Sequence, residues 1–175
     1  MLKNRLVAPL AFLGFLALAS AAGAQTFPDG GGNLAGAERL RVRGCGRDGG
    51  PLFLSVSLGS NGAWTAAASA TPTGPVIATY TGTSTTVHGR VMRLTLDATS
   101  LAALETALEA DASTLCEEAV TISSLTTRAA LKVNKRETRA WISLRARGMG
   151  TTAGGGDGNG IYGVRARGPW SPPQQ

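Results

Sequence analysis

A single histidine, two cysteines and 5% aromatic residues leave this 175-residue chain little of the usual equipment of an active site. A zinc centre draws about four ligands from His, Cys, Asp and Glu. His88 has no second histidine, cysteine or carboxylate near it at ligand spacing, so no metal site is read and no cofactor is implied. No G-x-S-x-G elbow marks a nucleophile. A Ser-His-Asp set leaves no trace in sequence order, because its members come from anywhere in a chain. No catalytic residue is therefore assigned. Glu117 and Glu118 are neighbours, and Glu105 and Glu109 share a helix face as ordinary solvated charge. Neither pair resembles the facing carboxylates of a glycosidase. The run Gly154–Gly160 lacks the G-K-[ST] ending and the following helix of a phosphate loop. Its one acid, Asp157, is too little charge for calcium.

Long hydrophobic runs are also scarce. The longest, Leu6 to Leu18, is about 13 residues, short of the ~20 that span a bilayer. It follows Lys3 and Arg5 and precedes Ala22-Gly23-Ala24, small residues of the kind a signal peptidase reads. Residues 1–24 are expected to be a signal peptide, cleaved before Gln25. The product is then periplasmic or secreted, with no transmembrane segment in the mature chain. In an oxidising compartment two cysteines read as one bridge, Cys45–Cys116; their spacing is not that of a C-x-x-C redox pair.

Two-residue alternation is what the remaining chain does have. Leu40 and Val42 alternate with Arg39, Arg41 and Arg43; Leu52, Leu54, Val56 and Leu58 alternate with Phe53, Ser55 and Ser57. Asn61-Gly62 is a hairpin turn before Trp64. Further strands are expected at Val76–Thr81, at Thr85–Leu96 after a turn at Gly82–Ser84 and with a bulge at Gly89, at Val120–Ile122, and over 129–133, 139–147 and 162–166. One helix is expected near 99–115, where Leu101, Leu104, Leu108, Ala112 and Leu115 recur at three and four and Thr99 or Ser100 caps the start. The expected fold is mainly β, with about eight or nine antiparallel strands in a sandwich or an up-and-down barrel. It occupies residues 39–168, between a flexible Gly-rich lead-in (25–38) and a disordered tail (169–175).

Charge is unevenly placed. Without Lys3 and Arg5 the chain has fifteen bases and eleven acids. From Asp97 to Glu118 there are six acids and no base; from Arg128 onward there are nine bases and two acids. Alternation sets Arg139, Trp141, Arg145 and Arg147 on the face opposite Ile142 and Leu144. Pairing of the last strands brings Arg167 near Trp141 and Arg165 near Ser143, and a tight turn at 134–137 brings Lys132 across from about Arg139. These seven residues form the candidate ligand face. Its expected partner is a polyanion: lipid A phosphates, an acidic polysaccharide or nucleic acid. Arginine suits such a role because its planar fork holds phosphate or carboxylate through two bonds. The bland alternatives are a solvated sheet face, and a face balanced by the acidic helix. At the level of function, a non-enzymatic binding module stands first. A structural or assembly component of the envelope and an exported enzyme without a linear motif stand behind it.

Overall fold

The computed structural model describes residues 29–172; the expected signal peptide lies outside them. Eight strands run in the order β1 (Gly30–Val42), β2 (Gly46–Leu58), β3 (Ala63–Ser69), β4 (Ala78–His88), β5 (Val91–Leu96), β6 (Val120–Val133), β7 (Arg139–Thr152) and β8 (Gly160–Pro169). One helix, α1 (Ala98–Cys116), joins β5 to β6. Each strand pairs antiparallel with the next, and β8 pairs back onto β1, so the sheet closes into an up-and-down barrel. Of the two architectures the alternation allowed, the barrel is the one adopted. Closure removes a full-length open edge, although residues 46–52 of β2 on the β3 side and 120–128 of β6 on the β5 side lie beyond the strand pairing.

Alternate side chains enter the barrel, and most are apolar. Leu34, Leu54, Trp64, Met92, Leu131 and Val164 are among those packed inside. The polar alternates face outward. This is the reverse of a membrane-spanning barrel, whose outer band is apolar. No helix among the described residues is long and apolar enough to cross a membrane.

Helix α1 closes the end of the barrel at which β1 finishes. Leu104, Leu108 and Ala112 recur every four residues and pack on Leu40, Val42, Ile122 and Ala146. The cap is Asp97 rather than Thr99 or Ser100: its Oδ1 accepts from the Ser100 N–H at 2.7 Å. The Thr81 hydroxyl and these N-terminal groups hold the Asp97 carboxyl below the usual carboxylate range. The disulfide Cys45–Cys116 ties the helix end to the β1–β2 hairpin. Glu109 is not merely solvated charge, since its Oε1 accepts from the Ile122 N–H at 2.7 Å and so anchors the start of β6.

Several boundaries differ from the sequence reading. Gly30–Glu38, expected in the flexible lead-in, forms most of β1. At the other end Trp170 is buried and Ser171 bridges to Gly31, so the tail is ordered through Ser171. Gly82–Ser84, expected as a turn, lies inside β4, and Gly89, expected as a bulge, makes the β4–β5 turn at φ +55°. Val120–Ile122 and 129–133 belong to one long strand with an irregularity between Ile122 and Ser124.

The β1–β8 seam needs a close backbone approach. A Cβ on Gly36 would stand 1.9 Å from the carbonyl oxygen of Arg165. Gly36→Ala must therefore push the closing strands apart, at an overpacking cost of about 2 kcal/mol. Urea unfolding checks this; a variant as stable as the parent contradicts the close approach.

Candidate functional site: a cationic barrel wall

Eleven bases sit at outward strand positions: Arg39 and Arg41 on β1, Arg47 on β2, Arg93 on β5, Arg128 and Lys132 on β6, Arg139, Arg145 and Arg147 on β7, and Arg165 and Arg167 on β8. All are exposed. They follow from the alternation that buries their neighbours, such as Ala140, Ala146, Val164 and Ala166.

The register sets their spacing. Arg39 lies opposite Gly163, Gly163 opposite Arg145, and Arg145 opposite Arg128. One row along, Arg165 lies between Ala37 and Ser143, and Ser143 faces Ala130, which faces Arg93. In the next row Arg167 faces Trp141, and Trp141 faces Lys132. Directly opposed residues are about 5 Å apart. Small residues thus form a floor among long cationic side chains. The result is a wide surface concavity of about 2000 Å³, whose lining includes Arg39, Arg41, Arg47, Arg93, Arg128, Arg145 and Arg165, with Glu38 and Asp48 also bordering it.

All seven sequence-derived residues reach the outer wall. The pairings Arg167–Trp141 and Arg165–Ser143 are as expected, whereas Lys132 faces Trp141 rather than Arg139. Trp141, 39% exposed, stands between two cations, a favourable setting for an indole. Only Arg145 and Arg165 of the seven line the concavity. Arg39, Arg41, Arg47, Arg93 and Arg128 were missing from the expected face. The alternation of Arg39 and Arg41 with Leu40 and Val42 was legible; the closure that sets them beside β8 was not.

The wall is not neutralised from within the described residues. The two salt bridges there involve turn residues, Arg43–Asp157 at 3.1 Å and Arg90–Glu137. Helix α1 carries its acids over the barrel end, and none pairs with a wall base. Strands β3 and β4 carry no lysine or arginine.

No family model matches this chain, and no curated protein matches it. Among solved structures, a protein of unknown function from the DUF3598 family of Nostoc punctiforme aligns at 15% identity with a TM-score of 0.31. That alignment covers 77% of this chain and 46% of the other. The likeness is too slight to assign fold or activity.

A second polar cluster lies inside the barrel. The Tyr162 hydroxyl donates to Glu38 Oε2 at 2.6 Å. Burial, reinforced by that bond and by the Glu38 charge, pushes the Tyr162 phenol far above the ordinary range. Burial and the Glu38 charge also raise Tyr80. Asp111 is raised by partial burial and by Asp48. His88 is exposed beside the β4–β5 turn, away from these groups.

These are the chain's two tyrosines. A phenol whose folded pKa exceeds 10.0 keeps its proton while the unfolded chain loses it, so stability falls as pH rises past about 10. Phenolate absorbance is expected to appear together with loss of near-ultraviolet circular dichroism, in one transition. A full phenolate signal from a still-folded protein contradicts the buried placement.

Proposed function

We propose that this protein is an exported, non-enzymatic binding domain whose barrel wall takes an anionic polymer. One observation carries the reading: eleven outward cations share six adjacent strands with no carboxylate at an outward strand position. A solvated surface ordinarily intersperses both signs. Here Glu38 and Asp48, at inward strand positions, border the concavity, and the outer wall keeps a net positive charge. Such a wall concentrates polyanions and accelerates their arrival through its summed field. Its guanidinium forks suit phosphate, sulfate or carboxylate groups.

Export follows from the amino-terminal pattern and suits the disulfide, which persists in oxidising compartments. Closure of the sheet leaves only partial edges for strand addition, which favours the binding reading over a structural component.

Titration of the purified protein with a sulfated polysaccharide at low and raised salt tests the reading. Tight binding that weakens steeply with salt is the expected result, because each cation that meets the polymer releases a counterion. Binding that is absent at low salt, or indifferent to salt, would count against it.

A further inference from the structure

We infer that the ligand is a linear acidic polysaccharide that lies along the concavity of the barrel wall rather than a flat anionic surface. The inference rests on the anion-binding reading of the wall and concerns the shape and chemistry of what binds there.

The cations occupy β5, β6, β7, β8, β1 and β2, six neighbouring strands in a closed ring of eight. Arg47, Arg145 and Arg93 line one concavity of the outer wall, whose floor a flat membrane does not follow. A flexible chain can reach all of them.

A path for it is present. Arg47 faces Arg41 directly, and Arg39 follows Arg41 on the same face of β1. Gly163 then opens the floor before Arg145, which faces Arg128; Arg93 faces Ala130, one same-face step from Arg128. Steps between cations run from about 5 Å for opposed residues to about 10 Å across one intervening strand. That is the scale on which sugar rings carry charge along an acidic glycan. Along the path the floor is small (Ala37, Gly49, Ala130, Ser143, Gly163), so a chain can settle against backbone.

Nucleic acid fits less well. Single strands are held on a series of aromatic platforms; Trp141 is the wall's one large exposed aromatic among the described residues. A duplex is stiff over ~150 base pairs and does not bend around so narrow a barrel.

The test compares heparin oligosaccharides graded by length, oligothymidylate, and phosphatidylglycerol vesicles, binding the intact protein and its R47S and R93S variants. Both changes lie on exposed side chains at opposite ends of the path, and unchanged thermal midpoints confirm that each variant folds. Affinity is expected to rise with glycan length until a chain joins Arg47 to Arg93. Each variant is then expected to weaken the long glycan about fivefold, the effect of one exposed ionic contact, and the shortest glycan hardly at all. A plateau at short length, or sensitivity to only one variant, overturns the path from Arg47 to Arg93 but leaves the anion-binding wall standing. Tighter binding of vesicles or oligothymidylate than of the long glycan overturns the choice of ligand. Failure of all three probes to bind at low salt overturns the inference and the reading beneath it.

Discussion

Replacing Arg39, Arg145 and Arg165 together by serine is expected to weaken polyanion binding roughly 100-fold at low salt, at about 1 kcal/mol for each exposed ionic contact. The three surround Gly163, two across the sheet and one along β8. The slope of log affinity against log salt is expected to flatten by about 3, because three fewer counterions are released. Thermal stability should hardly change, since all three side chains are exposed and none forms a salt bridge among the described residues. A matched control replaces Arg43, Lys135 and Arg136, which lie in turns, and should flatten the slope far less. Equal losses from the two triple variants would mean that net charge binds the ligand and the wall's arrangement does not.

Removal of the disulfide is the second large effect. Cys45 and Cys116 are 71 residues apart. Closing a loop of that length restrains the unfolded chain by about 4 kcal/mol in the chain-entropy account. A double Cys→Ser variant is expected to unfold about 10 °C lower. The bridge joins the β1–β2 hairpin to the end of α1, so its loss frees the helix over the barrel end first. Hydrogen exchange should then show α1 and the start of β6 opening before the strands that enclose Met92 and Leu131. Glu109 and Ser113 side chains accept the Ile122 and Val120 N–H groups, which couples those two segments. A change of only a degree or two would mean that packing of Leu104 and Leu108 alone holds the helix in place.

Much of this fold was legible because an antiparallel barrel with an apolar interior writes a period of two into its strands. Leu52–Leu58, Ala129–Val133 and Arg139–Arg147 declared their inward and outward faces directly. Glycine was where the reading failed, since one residue serves opposite needs. Gly89 turns the chain at positive φ, whereas Gly82 sits mid-strand because a Cβ there would meet the Thr95 carbonyl oxygen at 1.9 Å. Both look like punctuation in one dimension. The Gly-rich stretch before Leu34 looked like a linker for the same reason. Gly32 instead lies in β1, where a Cβ would collide with the Pro169 carbonyl. Closure between the first and last strands is a contact across nearly the whole domain, with no local mark. It is also what adds β1 and β2 to the cationic face, while β5 joins through its pairing with β6.

Arginine-selective modification, mapped by mass spectrometry with and without a saturating acidic polysaccharide, tests the wall most directly. Shielding of Arg39, Arg93, Arg128, Arg145 and Arg165, with Arg43 and Arg136 as reactive as before, is the predicted pattern. Equal modification of the wall arginines in the presence and absence of the polymer would contradict the account.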